Sequence, residues 1–341
     1  MLSKMSSLHE THYVDFDQTS RWLRQTLTQT NCQSLLVIGG CPDSQQAQAL
    51  IQEYPPEVQK EFKIILDNIL LLDRPSFGSY FRHYTALVLY VYYDAPATAV
   101  NLDFFSRFGM DNPDCYYMLI INGGDCRVPI SPSWNQVLRR PNQGVDFGGW
   151  FDALEHHKTH LDKFDRFIFL NDTVRGPFGD RDWVNTFSRL ITDKVKLVGL
   201  SINGLDPWVN MYWSNWMLRR HFGRDDVAHV QSMFMVTDKI GLDILYPAVI
   251  DSRNLDKVDT IVAKEIGASM AIMDAGYKIG CIIPEISTNY HKYRDLWAGY
   301  NNYGLVRPEE TIFFKTNRAA AMGAVELVEA ATQRQNRLGC P

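Results

Sequence analysis

The sequence predicts an α/β fold whose core is a mostly parallel sheet covered by helices on both faces. Three features carry that expectation. Apolar runs of strand length show no polar alternation, helix-length stretches separate them, and a polar cluster closes each run. A strand buried on both faces has no solvent side, so it reads as a continuous hydrophobic run.

Taken in order, residues 1–31 are polar and carry one amphipathic helix around Thr19–Thr28. Ser34–Gly40 is an apolar run closed by glycines, followed by a Gln/Ala-rich helical stretch to Tyr54. Pro55-Pro56 and Asp73–Gly78 punctuate the next stretch of chain, and residues 1–80 are expected to form an N-terminal extension or an additional α/β unit. Ala86–Tyr93 reads as a buried strand ending at Asp94-Ala95-Pro96, with a helix over about Val100–Phe108. Tyr116–Ile121 is a second strand, ending at Asn122-Gly123-Gly124. Gln136–Arg139 is a short third strand that opens into Arg140–Gly149 and a helix beginning near Trp150. Phe164–Leu170 is a fourth strand, ending in Asn171-Asp172-Thr173. Lys194–Ile202 and Gln231–Thr237 read as strands on either side of a Trp-rich stretch (Trp208, Trp213, Trp216). A helix over about Val258–Gly276, a strand Lys278–Ile283 and a terminal helix Arg318–Gln335 complete the pattern.

In open parallel sheets, ligands gather outside the carboxyl ends of the strands. Asp94, the Asn142/Asp146 pair and the Asn171/Asp172 pair all fall at such ends. Their convergence is the strongest functional signal in the residues themselves.

Composition narrows the classes. With 45% hydrophobic and 21% charged residues over 341 positions, the chain reads as globular rather than disordered or fibrous. A net charge of −5 lacks the basic excess of nucleic-acid or anionic-lipid binders, so no nucleic-acid partner is expected. Any bound phosphate must be neutralised locally, by a metal ion or a helix N-terminus. Six cysteines stand without C-x-x-C spacing and read as free thiols of a reducing compartment. No signal-like apolar stretch precedes residue 20, and no run approaches the roughly 20 residues of a spanning helix. A cytoplasmic protein with no integral membrane segment is expected.

Five strings in collinear order then carry a resemblance: RPNQGVDFGGW (140–150), FDRFIFLNDTVRGPF (164–178), HVQSMFMVTD (229–238), AGYKIG (275–280) and PEETIFFKTNR (308–318). They resemble the rhamnan-synthesis, RgpF-like glycosyltransferases over about residues 84–318. That resemblance implies the GT-A-type nucleotide-diphospho-sugar transferase fold, with a mixed, mostly parallel sheet. It also implies a domain over 81–318 (donor half 84–180, acceptor half 190–318) followed by a C-terminal helix, 319–341. It further implies that Tyr92, Tyr93 and Asp94 meet the nucleobase, and that Asn142, Gly144 and Asp146 contact the nucleotide. Asn171 and Asp172 stand where relatives carry Asp-x-Asp, the holder of a divalent Mn²⁺ or Mg²⁺ ion. The chain departs there, reading Asn171-Asp172-Thr173, with one carboxylate where two are usual. A hard cation of this kind keeps several waters and takes diphosphate oxygens as ligands, so one carboxylate does not exclude it. His291 is the implied late metal ligand. Counting back eleven from Gly276 places Glu265 as the implied general base, with Asp238 as its rival.

Plainer readings stand beside these. Asn-Asp-Thr is good turn chemistry, and Asp146 suits a helix N-cap. His156, His157 and His160 read as a solvated helix face rather than a metal cluster, since no acidic partner falls at zincin spacing. The tryptophans suit either an acceptor-side sugar platform or core packing. Lys315 and Arg318 suit either phosphate contact or an exposed loop.

The expectation is therefore an enzyme that transfers a sugar, L-rhamnose first, from a nucleotide-diphosphate donor to a glycan hydroxyl, with inversion at a carboxylate base. Two other classes remain open. One is a non-catalytic nucleotide- or glycan-binding module, and the other a sugar nucleotidyltransferase.

Overall fold

The computed structural model describes residues 12–13, 36–37, 83–204, 220–223, 227–247, 249–252, 254–255, 257–289, 307–320 and 323–338. The chain divides into two compact units, Met1–Arg82 and His83–Pro341. In the first, β1 (His12–Tyr13) pairs in parallel with β2 (Leu36–Val37), the latter within the apolar run read at Ser34–Gly40. The helix expected around Thr19–Thr28 and the Gln/Ala-rich stretch lie outside the described residues.

The second unit is built on a seven-stranded sheet. Its strands are β3 (Tyr84–Tyr93), β4 (Cys115–Asn122), β5 (Gln136–Arg140), β6 (Phe164–Asn171), β8 (Val195–Gly199), β11 (Phe234–Asp238) and β12 (Lys278–Cys281). Their spatial order is β12-β8-β11-β6-β3-β4-β5. All neighbours pair in parallel except those involving β11, which runs against both β6 and β8. This is the mixed, mostly parallel sheet that the sequence implied. Further short strands lie outside it, among them β7 (Val174–Arg175), β9 (Ile202–Gly204) and β10 (Ala228–Val230).

Both faces are covered. Ala86, Val88, Tyr90 and Tyr92 of β3 pack with Leu102, Phe105 and Phe108 of α1 (Pro96–Phe108) and with Trp183 and Phe187 of α3 (Trp183–Ser188). Pro96 opens α1 at a position whose N–H would be unpaired anyway, four residues ahead of the start read from sequence. The opposite face takes α2 (Val145–His156). Its buried Phe147, Trp150, Phe151 and Leu154 recur at i, i+3, i+4 and i+7, the spacing of one helical stripe. Trp150 stacks edge-on against Phe169 of β6, with ring centroids 5.4 Å apart. α4 (Lys239–Leu245) buries Leu242 and Leu245, and α6 (Val325–Leu338) buries Val328 and Ala331.

The long helix expected after Val258 is interrupted. α5 runs as α-helix over Lys257–Thr260, as a π-helical stretch over Ile261–Ile266, and as α-helix again over Gly267–Asp274. The strand read over Lys194–Ile202 is two, β8 and β9, and that read over Gln231–Thr237 starts at Phe234. The histidine cluster is also corrected. α2 ends at His156 and a 3-10 turn, Lys158–Lys163, follows, so His156 and His160 do not share a helical face. His157 and His160 are buried, and burial pushes the His157 pKa down to about 3. Among the described residues, Cys115, Cys126 and Cys281 are unpaired thiols, and no helix is long and apolar enough to cross a membrane.

Candidate active site

Because β3, β4, β5 and β6 are parallel, their carboxyl ends share one edge of the sheet. The loops that continue from them meet there. The backbone N–H of Tyr93, at the end of β3, donates to Asp172 Oδ2 at 2.6 Å, beyond the end of the neighbouring β6. Asn171 Nδ2 donates to Asp146 Oδ2 at 2.8 Å, joining β6 to the start of α2. Asn171 Oδ1 in turn accepts from the Thr173 backbone N–H at 3.0 Å, an Asx turn that fixes the loop.

Asp172 is 7% exposed. Burial and the neighbouring Asp146 carboxylate push its pKa up to about 8, against the lowering effect of the Tyr93 N–H. The second carboxylate that Asn-Asp-Thr lacks is therefore present in space, delivered by the first turn of α2. Asn101 and Arg175 brace this loop from below. Asn101 Nδ2 donates to the Asp172 carbonyl at 2.8 Å, and Arg175 Nε donates to Asn101 Oδ1 at 3.0 Å.

The turn into α2 requires glycine at 144. Gly144 has φ +69°, and a Cβ there would lie 2.6 Å from the Ser252 carbonyl oxygen. The Ser252 hydroxyl donates to the Gly144 carbonyl at 2.6 Å, tying this loop to the stretch of chain after α4. Gly149 permits close approach of the helix: a Cβ there would lie 2.9 Å from Val91 Cγ2 of β3. Arg140, almost wholly buried, is a scaffold residue rather than a phosphate hook. It donates to Asp152 Oδ2 and Asn122 Oδ1 at 2.6 Å each, and to the Gln143 carbonyl at 2.8 Å. Asn142 is exposed on the loop so held.

Strand alternation separates the two tyrosines expected at the nucleobase. Tyr92 is fully buried and donates its hydroxyl to Asp94 Oδ1 at 2.5 Å, so it presents no ring face to a ligand; that expectation is corrected. Tyr93 is 53% exposed at the edge. Asp94 is engaged by Arg127, whose backbone N–H and Nε both donate at 2.9 Å. Arg127 and then the Tyr92 hydroxyl hold its carboxyl well below the usual carboxylate range.

Glu265 lies in the π-helical stretch, an irregularity frequent at functional sites. Its side chain is 17% exposed. Oε2 accepts from the Ser232 hydroxyl at 2.9 Å, and Oε1 lies 3.6 Å from His229 Nε2. Burial raises its pKa, but His229, Lys315 and Ser232 together outweigh that and leave it lowered, so the carboxylate stays ionised. Ser232 immediately precedes Met233, whose carbonyl accepts from the Asn171 N–H at 3.2 Å. Lys315, on β13 (Phe314–Lys315), pairs opposite Val174 of β7. Two separate paths thus bring Glu265 to the edge that carries Asp172.

Asp238 does not belong there. It closes β11 opposite Arg166, near the start of β6, about 14 Å along the strand from the Leu170 rung. It caps α4 by accepting from the Gly241 N–H at 3.0 Å, and Lys196 Nζ donates to it at 2.6 Å. The antiparallel course of β11 sends its last residue to the far edge, so Asp238 is a structural ion pair rather than a rival base. His291 and the three tryptophans lie outside the described residues. Among the described residues no group of three or more His, Cys, Asp or Glu side chains is placed to hold a metal ion. Burial, and then the Asp146 carboxylate, hold a proton at Asp172; the hard oxygens of the two residues would suit a divalent cation that completes its shell with water and phosphate.

The chain is thus an α/β protein with a mixed, mostly parallel sheet and polar loops gathered at one edge of it. The chain belongs to the rhamnan synthesis protein F family, whose sequence model matches residues 130–316, more than half of its length. A comparison with curated proteins gives no match. Among solved structures, the chain is similar to a mannosyltransferase from Pyrobaculum calidifontis in complex with GDP-Man and Mn²⁺. The identity is 12% and the TM-score 0.35, over 76% of this chain and 81% of that one. It is also similar to core-mannan synthase A from Aspergillus fumigatus, in an Mn/GDP form. There the identity is 12% and the TM-score 0.34, over 59% of this chain and 73% of that one.

Proposed function

We propose that the chain transfers a sugar from a nucleoside-diphosphate donor to a glycan hydroxyl, with inversion at the anomeric carbon and Glu265 as general base. The observation that carries this reading is the link between donor and acceptor residues. Asp172 lies under the Tyr93 N–H, and Glu265 is held by Ser232, whose neighbour Met233 binds Asn171.

In this mechanism the Tyr93 ring offers a stacking face to the base, and the 141–146 loop lies along the nucleotide. Asp172 and Asp146 would hold a divalent Mn²⁺ or Mg²⁺ ion, which when bound neutralises the charge growing on the leaving diphosphate. Lys315 adds a cation beside the same loop. Glu265, ionised by His229, Lys315 and Ser232, accepts the proton of the acceptor hydroxyl as that oxygen attacks the anomeric carbon. The family's description, rhamnan synthesis, makes an activated L-rhamnose the first donor to test.

The test is release of nucleoside diphosphate from a panel of UDP-, GDP- and dTDP-sugars with Mn²⁺. Slow release that accelerates with a glycan acceptor supports transfer. Pyrophosphate release would assign a nucleotidyltransferase, and donor binding without turnover a non-catalytic module.

A further inference from the structure

The β9–β10 hairpin carries buried polar atoms for which the proposed mechanism has no use. Asn203 of β9 stands opposite His229 of β10 in an antiparallel ladder, so the two side chains project from the same face. Gln231 lies immediately past the end of β10, two residues after His229. The adjoining Val230 points the other way, toward Gly199 of β8. Asn203 and His229 are each 6% exposed. Asn203 Oδ1, His229 Nδ1 and Gln231 Oε1 are all buried without a hydrogen-bond partner.

A buried polar atom left unmet is costly, and folded proteins carry few of them. Two facing each other on one rung, with a third just past the strand, mark a place for a partner from outside the chain. That face turns toward the base, since the other ring nitrogen of His229, Nε2, is 3.6 Å from Glu265 Oε1. The two oxygens of Glu265 therefore look in different directions. Oε2 is held by Ser232 on the donor side, and Oε1 faces the hairpin.

The chemistry of the three atoms selects the ligand. Amide oxygens accept only, and the ring nitrogen His229 Nδ1 stands with them. Sugar hydroxyls, which both donate and accept, can satisfy such a mixed group. We propose that the Asn203–His229 rung, with Gln231, is a hydroxyl-binding subsite that seats the acceptor pyranose against Glu265. The proposal rests on the reading of Glu265 as the base of a sugar transfer.

Asn203→Leu tests it, because leucine keeps the volume and removes the unmet acceptor. Binding of methyl α-L-rhamnopyranoside, methyl α-D-mannopyranoside and methyl β-D-glucopyranoside is measured by saturation-transfer NMR, which needs no turnover. The wild type is expected to bind at least one glycoside. The variant is expected to keep or raise its melting temperature and to lose that signal. In transfer assays with the same glycoside, acceptor KM is expected to rise about tenfold, the equivalent of one hydrogen bond at about 1.4 kcal/mol, with a much smaller rise in donor KM. Equal glycoside binding by the two proteins, or equal rises in both KM values, overturns the subsite. Mn²⁺ broadening of the His229 ring signals that disappears in Asn203→Leu also overturns it, in favour of a cation. A wild type that binds glycoside but releases no nucleotide from any donor overturns the transferase reading and leaves the subsite standing.

Discussion

Asp172 offers the sharpest test of the proposed function, in which its proton and a divalent cation would compete for the same oxygens. Burial and Asp146 raise its pKa from 3.8 to about 8. An acid whose folded pKa exceeds its unfolded one stays protonated in the fold after the unfolded chain has ionised. Its contribution to stability is complete below about pH 4 and is lost as pH rises toward 8, at about 1.4 kcal/mol per pH unit. Cation binding runs the other way, since it needs the carboxylate and must displace the proton. About 1% of Asp172 is ionised at pH 6 and about half at pH 8, so the apparent dissociation constant for Mn²⁺ is expected to be about 50-fold weaker at the lower pH. That ratio corresponds to about 2.3 kcal/mol. Calorimetric titration of Mn²⁺ at pH 6, 7 and 8, paired with thermal melts, reads both trends. In Asp172→Asn the Mn²⁺-dependent rise in melting temperature should vanish, and the pH slope of the ion-free protein should flatten. An Mn²⁺ affinity that does not change with pH, or an Asp172→Asn protein still stabilised by Mn²⁺, would refute the reasoning.

Three other perturbations separate chemistry from scaffold. Glu265→Gln removes the proton acceptor but keeps the Ser232 contact. Transfer should fall by roughly 10²–10⁴ while donor binding by calorimetry is retained, and a normal rate would move the base elsewhere. Asp238→Asn keeps a good helix cap but leaves buried Lys196 without its counter-charge, a loss of about 3–5 kcal/mol in denaturant melts. The rate per folded molecule should not change, and a hundredfold fall would restore Asp238 as a base. Gly144→Ala meets both a left-handed φ and the Ser252 carbonyl, at an expected cost of about 2–5 kcal/mol. Chemical denaturation checks it, and a loss below 1 kcal/mol would mean that the loop relaxes readily.

The strands Ala86–Tyr93 and Phe164–Leu170 were legible because they are buried on both faces over most of their length. The first is apolar throughout and the second from Phe167 on, and the observed strands extend them by one or two residues. The start of α2 was missed by five residues because it carries no side-chain cap. Its N-cap is Gly144 in the left-handed region, followed by Val145 at φ +46°, and neither residue signals a helix start. The loop residues at the sheet edge were legible from their position after each strand. The partners that give them meaning were not. The Asn171–Asp146 hydrogen bond spans 25 positions, and the Ser232–Glu265 one spans 33. Asp238 was misread because residue order does not say which way a strand runs in the sheet. The Asn203–His229 rung escaped for the same kind of reason, since its polar side chains have significance only once the pairing places them face to face.

The reversed course of β11 divides the chain into stretches open and closed to variation. If the proposed base and subsite hold, changes just ahead of that strand, at 229–232, alter what the protein binds. Changes just after it, at 238–245, reach only the underside of the sheet. A library meant to redirect glycan choice should be diversified upstream of Phe234, and one meant to harden the protein against heat should be drawn from the far side.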